Sequence, residues 1–191
     1  MAIITKREIR ARASGLTKSA STVLNESYFA FSNSRSYDIF LSHSYLDAND
    51  IVGLKMVIED MGYSVYVDWL VDRQLDRANV NQETAALLRK RMESCQSLFF
   101  ATSDNSSNSK WMPWELGYFD GIKRKVAILP IGDRLEYDFC GQEYLGLYPY
   151  VMKDQIQGGS REALWIHSDN ETYVIFESWL EGVQPFRRRI S

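Results

Sequence analysis

Apolar residues in this chain fall into short solid runs separated by stretches with helical period. Tyr37–Ser42 (YDIFLS), Tyr63–Asp68 (YSVYVD), Gln96–Thr102 (QSLFFAT) and Lys125–Ile131 (KVAILPI) have the length and composition of strands buried on both faces. Between the first two, Asp47–Met61 places Ile51, Leu54, Ile58 and Met61 on one helical face and meets Gly62 as a stop. A polar loop over residues 69–80 leads to a helix near Asn81–Ser94. The Ser/Asn cluster at 103–109 is a loop that feeds a further helix. Strand alternating with helix predicts a parallel sheet with right-handed crossovers.

The flanks are less regular. Thr5-Lys6-Arg7-Glu8 fits a capping box and Gly15 a stop, giving a helix over 6–14. A second helix over 19–30 has Val23, Leu24 and Tyr28 on one side, and 32–36 (SNSRS) is a linker. Beyond Ile131, Phe139–Val151 is aromatic without a clear period. Ala163–His167 fits a fifth strand. Glu171–Leu180 fits a last helix, with Asn170 as its cap and Phe176, Trp179 and Leu180 as its packing face. The expected organisation is a helical extension over 1–36 and one α/β domain over 37–185.

One polar position breaks the pattern. In SNSKWMPWELGYFDGIK the inward positions are Trp111, Trp114, Tyr118, Phe119 and Ile122, and Glu115 shares their face. A carboxyl group in the most apolar stripe of the chain loses water and needs a partner or a task. The plain alternative is an acid near a helix start, satisfied by backbone N–H groups and the dipole. The helix is expected to stop at Gly121. Pro113 disfavours helical geometry at Met112, so it is also expected to begin late and leave Trp111 on the loop. Trp114 is expected to pack in the core, His43 to be a polar loop side chain, and Asp47 to cap its helix.

Composition narrows the classes of function. The 191 residues carry a net charge of −3, so nothing global draws the chain to nucleic acid or to an anionic membrane. Basic residues cluster within the first 36 positions and at Arg187–Arg189, a pattern that is most often a solvated surface. Two cysteines, Cys95 and Cys140, have no metal or redox spacing and read as reduced thiols of a cytoplasmic protein. No apolar run approaches the roughly 18 residues of a membrane span. Two histidines cannot build a metal cage alone. There is no G-x-G-x-x-G, no G-x-x-x-x-G-K-[ST] and no G-x-S-x-G, which argues against a redox dinucleotide fold, a P-loop and an α/β-hydrolase.

In open parallel sheets ligands bind at the carboxyl ends of the strands. Ser42–Asp47, Asp68–Leu70, Ser103–Ser109 and the start of the Glu115 helix all gather there. The same segments carry a family resemblance. YDIFLSHSYLD at 37–47 resembles the opening box of TIR (Toll/interleukin-1 receptor) domains. SVYVDWL at 64–70 is similar to their second strand and following loop. SKWMPWELG at 109–117 resembles the helix in which enzymatic TIR domains carry W-x-x-x-E, here Trp111 and Glu115. The match covers residues 37–131.

The resemblance implies a flavodoxin-like three-layer sandwich with a central parallel sheet of about five strands. It implies NAD+ as the substrate, with cleavage of the nicotinamide–ribose bond to give nicotinamide and ADP-ribose or a cyclic isomer. The bacterial enzymes it points to are sensor subunits of Thoeris-type antiphage systems, whose product activates a separate effector protein. Carried over residue by residue, Glu115 is the catalytic glutamate and Trp111 stands near the nicotinamide. Phe40, Leu41, Ser42 and His43 line the NAD+ site, and Asp68, Trp69 and Leu70 lie in the loop that helps close it. No metal and no cofactor beyond the substrate is implied, and other TIR protomers are the expected assembly partners. Two other readings stay open at this stage. One is a non-catalytic TIR scaffold that pairs through residues 69–80. The other is a related sugar-processing enzyme, such as a nucleoside deoxyribosyltransferase, with its carboxyl group at a sugar C1′.

Overall fold

A computed structural model of the protein describes residues 1–16, 19–20, 22–23, 36–44, 47–67, 82–103, 105–132, 142–156 and 158–187. In chain order the elements are β1 (Ile4–Thr5), α1 (Lys6–Ser14), β2 (Tyr37–Ser42), α2 (Ala48–Asp60), β3 (Val65–Tyr66), α3 (Gln82–Glu93), β4 (Cys95–Thr102), α4 (Trp111–Lys123) and β5 (Val126–Gly132). They continue with β6 (Tyr150–Gln155), β7 (Glu162–His167), β8 (Thr172–Ile175), α5 (Phe176–Leu180) and β9 (Phe186–Arg187). Strands β3-β2-β4-β5-β6 form a parallel sheet in that spatial order, and β7, β8 and β9 extend it antiparallel. Apart from β1, the parallel strands follow the flavodoxin-like order 2-1-3-4-5, whose switch point lies between β2 and β4.

The strand runs are apolar throughout because both faces are covered. On one face Ile39, Leu41, Phe99, Ala101, Ala127 and Leu129 pack against α1, α2 and α5, with Ile9, Ile51, Leu54, Ile58, Phe176 and Trp179 buried between the layers. On the other face Phe40, Leu98, Phe100, Val126 and Ile128 meet Leu88 and Met92 of α3 and Met112, Leu116 and Phe119 of α4. Adjacent strand residues therefore serve opposite cores, as the pleat requires.

The first residues are built into this frame. Ile4 and Thr5 pair in parallel with Ile131 and Gly132, while Ala2 exchanges backbone hydrogen bonds of 2.9 and 2.8 Å with Lys153 of β6. The amino-terminal strand thus fills the gap where β5 and β6 diverge. Helix α1 then lies on α2. A Cβ on Gly53 would stand 2.2 Å from the carbonyl oxygen of Ile9, so only glycine permits this approach. Two forked ion pairs, Arg10–Asp50 (2.9 and 3.1 Å) and Arg12–Asp60 (2.6 and 3.1 Å), run along the same seam.

Several expectations need correction. The capping box is half formed: Glu8 N donates to Thr5 Oγ1 at 3.2 Å, but the Glu8 carboxylate pairs with Lys153 instead of turning back. The fifth parallel strand is β6, not Ala163–His167, which is the antiparallel β7. The segment expected as one helix over 171–180 divides at Ile175. Thr172–Ile175 pairs with β7 as strand β8, and only Phe176–Leu180 is helical. The N-cap position of α5 is Ile175, not Asn170, whose Oδ1 accepts from the Tyr150 hydroxyl at 3.3 Å; the Asp169 carboxylate accepts from the backbone of Glu171 and Thr172 at 2.8 Å each, turning the β7–β8 hairpin. The helix expected over 19–30 and the linker at 32–36 fall largely outside the described residues.

Candidate functional site

The switch-point crevice opens where β2 and β4 end side by side, Ser42 in register with Phe100. Beyond β2 the chain turns to α2 on one face; beyond β4 it turns to α4 on the other. Glu115 is the fifth residue of α4, past the first turn, and is 7% exposed. Ser42 Oγ donates to Glu115 Oε2 at 2.5 Å, so the acid is held by a side chain from the central strand. Phe40 lies two residues earlier on the same face as Ser42, fully buried, with its ring 5.7 Å from that of Tyr66 on β3. His43 lies in the loop after β2, where it is buried, and its Nδ1 is 3.1 Å from the Leu41 carbonyl oxygen.

Pro113 does not delay the helix. The first N–H groups of a helix have no partner within it, so a proline at the third position costs no hydrogen bond. Met112 N is met by Ser109 Oγ at 3.3 Å. Trp111 is accordingly the first residue of α4 and is buried, not on the loop. Its ring stands edge-on to Trp114 at 5.5 Å, and Trp114 stacks on Tyr118 at 5.8 Å and 11°. The guanidinium of Arg89 on α3 covers both of these rings, 5.4 and 5.7 Å from their centroids. The inward stripe is therefore Trp111, Met112, Glu115, Leu116 and Phe119. Trp114 and Tyr118 are half-buried on its flank, and Ile122 is 43% exposed. Nor does the helix stop at Gly121; it continues to Lys123 and ends at Arg124 with φ 53°.

This geometry sits in a chain with a near relative. A protein of Bacillus cereus (strain MSX-D12) named "Probable 3' cyclic ADP-D-ribose synthase ThsB'" is 58% identical over 166 residues, covering 86% of each chain. The chain belongs to the ThsB family of TIR proteins. A second relative, "Putative cyclic ADP-D-ribose synthase TIR2" of Cytobacillus dafuensis, is 32% identical over 105 residues, covering 54% of this chain and 28% of that protein. No protein-family model matches the chain.

In this TIR protein the structure sets Ser42 of β2 against Glu115 of α4, with Phe40 and Trp111 in the core on that side of the sheet and His43 next after Ser42. Leu41 is separated from them: its side chain is in the opposite core with Ile39, and only its backbone faces His43. Asp68, Trp69 and Leu70 lie outside the described residues. The sequence reading missed the cluster around Asp47. At the N-cap position of α2, Asp47 makes no capping bond, and its carboxylate accepts from the Ser103 hydroxyl and from Asn105 Nδ2 (2.6 Å). The polar run after β4 was the available signal, since polar side chains at a strand's carboxyl end beside a switch point need partners. A groove of about 710 Å³ lies on the α1 side of this cluster, walled by Lys6, Arg10, Asp47, Asn49, Asp50 and Asn105; Glu115 is not part of its lining. Among the described residues no group of three or more His, Cys, Asp or Glu could hold a metal ion, and no helix is long and apolar enough to cross a membrane.

Proposed function

We propose that the chain cleaves the nicotinamide–ribose bond of NAD+ and closes the remaining ADP-ribose into a cyclic ADP-ribose, with Glu115 as the reacting carboxylate. The carrying observation is the buried Glu115, held by Ser42 at the switch-point crevice. Nicotinamide in NAD+ is a cationic leaving group. It takes the bonding electron pair and departs neutral, so no general acid is required. Positive charge develops on the ribose ring, as in glycoside hydrolysis. A carboxylate in a crevice that excludes water stabilises that charge far more than it would in solution. A hydroxyl of the same molecule then bonds to C1′ and gives up its proton, which closes the ring; water entering instead would yield linear ADP-ribose. The chemistry as written needs neither a metal nor a cofactor beyond the substrate. Aromatic surface at Trp111 suits a pyridinium ring.

The name of the B. cereus relative specifies a 3′ cyclic product, and the same isomer is the expectation here. In this reading the product is a signal in antiphage defence, taken up by a separate effector protein, and the enzyme works in the cytoplasm as an assembly of several TIR protomers. The deciding experiment incubates purified protein with NAD+ and identifies products by mass spectrometry. Wild type releases nicotinamide and a cyclic ADP-ribose, and Glu115→Gln releases neither while keeping its melting transition. Wild-type turnover by Glu115→Gln would remove the assignment.

A further inference from the structure

We propose that Asp47 is a positioning residue of this site: its carboxylate clasps the loop after β4 to the loop after β2 and so fixes where α4, and with it Glu115, stands. The inference rests on the reading of Glu115 given above. Asp47 occupies the N-cap position of α2, where an aspartate ordinarily accepts from backbone N–H groups of its own helix. Here it does not. One carboxylate oxygen accepts from the Ser103 hydroxyl and the other from Asn105 Nδ2 at 2.6 Å. Hydrogen bonds to an ionised acceptor are roughly twice as strong as neutral ones, and this group is only partly solvated.

The clasp continues toward the catalytic helix. Ser103 Oγ accepts from Asn105 N at 3.1 Å, and Ser103 O accepts from Ser106 Oγ at 2.9 Å. A 3₁₀ turn at Ser106–Asn108 follows, in which Ser106 O accepts from Ser109 N at 3.2 Å. Ser109 Oγ in turn meets Met112 N at the second position of α4. A chain of hydrogen bonds thus runs from Asp47 to the first turn of the helix that carries Glu115. Among the described residues, hydrogen bonds join the two arms of the crevice at Ser42–Glu115, the inner contact, and at Asp47–Ser103/Asn105, the outer one. The inner contact aims the carboxylate, and the outer one sets the helix start from which it is aimed. In this proposal Asp47 acts on Glu115 only through the hydrogen-bond chain, so its loss is expected in the rate constant and not in substrate binding.

The test measures nicotinamide release from NAD+ by wild type, Asp47→Ala, Asp47→Asn, Ser103→Ala and the Asp47→Ala/Ser103→Ala pair, with melting temperatures alongside. Asp47→Ala should lower kcat by about a hundredfold, the cost typical of a reacting group displaced by about an ångström, while KM stays close to wild type. Asp47→Asn should recover most of kcat, because its carbonyl can accept from Asn105 and its amide can donate to the Ser103 hydroxyl. The pair should be no worse than Asp47→Ala alone, since both changes break one link. Wild-type kcat in Asp47→Ala overturns the proposal. So does a raised KM at unchanged kcat, no rescue by Asn, or additive losses in the pair. If Asp47→Ala does not fold, Asp47→Asn and Ser103→Ala decide, since an intact kcat in Ser103→Ala also overturns it. Glu115→Gln in the same assay separates the two readings: turnover by that variant removes the assignment of the site, whereas a dead Glu115→Gln beside a fully active Asp47→Ala removes only the clasp.

Discussion

The hydroxyl of Ser42, at the end of the central strand β2, donates to Oε2 of Glu115 in the second turn of α4 at 2.5 Å. Ser42→Ala removes this donor and leaves the buried acid short of one partner. The expected outcome is a loss of about 1–3 kcal/mol in denaturant unfolding and at least about a tenfold fall in NAD+ turnover as the carboxylate drifts from its position.

Replacing the acid itself should separate stability from activity. Glu115 lies among Met112, Leu116 and Phe119, so a leucine there has apolar neighbours and no charge to desolvate. Glu115→Leu is expected to keep the fold while losing turnover, with stability lowered by no more than about 1–3 kcal/mol, the cost of the Ser42 hydroxyl left without its acceptor. A large drop in the midpoint would mean that the acid is chiefly structural.

Three glycines should respond in opposite directions to alanine. Gly53→Ala forces α1 off α2, since its new Cβ would meet the Ile9 backbone, which cannot swing aside. A loss of about 1–3 kcal/mol is expected. Gly117 and Gly121 sit on the exposed face of α4 with nothing within 4 Å of an added Cβ. Alanine at either should raise stability by about 0.5–1 kcal/mol through helix propensity. Thermal melts of the three single variants check both signs.

His167 gives a pH dependence. It is 1% exposed and stacked between Tyr150 and Tyr173 at 5.3 and 5.1 Å, with Nδ1 3.3 Å from the Asp169 carbonyl. Desolvation holds its pKa below the ordinary value, against the pull of Asp169 and Asp154; Asp154 is itself paired with the amino group of Met1. The native state therefore binds fewer protons than the unfolded chain. This contribution is fully present above the unfolded pKa of about 6.5 and is lost as pH falls through the lower folded value. The melting temperature should drop between about pH 7.5 and pH 5.5, and drop less in His167→Phe, which keeps the stack without a titrating ring.

Cys95 is fully buried at the start of β4, and burial pushes its thiol up to about 12. Thiolate is the reactive form, so native protein treated with iodoacetamide should leave Cys95 unmodified in peptide mapping, and unfolded protein should not.

The parallel frame was legible because each central strand is a solid apolar run and each connecting helix has its own periodic face. Ile51, Leu54, Ile58 and Met61 all face inward as the period requires. The stripe on α4 was misjudged by part of a turn. Trp114, Tyr118 and Ile122 suggested one apolar face, whereas the sheet takes Met112 and Leu116 and leaves the Trp114 and Tyr118 rings to stack under Arg89. Type alone does not distinguish an aromatic residue in the core from one on its flank. The division at Ile175 was hidden because TYVIFESWL supports both periods, and only pairing with β7 decides for a strand in its first half. A two-residue strand such as β1 shows no alternation at all. At the site, the isolated acid stood out because it broke a pattern. Asp47 did not, because an aspartate before a helix is ordinary, and its true partners lie a loop away.

Ribosomes deliver Ala2 and Ile4 long before Lys153 and Ile131 exist, yet those are the positions that receive them. The leading strand must stay unpaired until most of the chain has emerged, and it then enters a gap bounded by two strands already in place. Closure of the sheet is therefore a late event in biosynthesis. Cargo fused ahead of Met1 would hang beside that closing seam and compete with its docking.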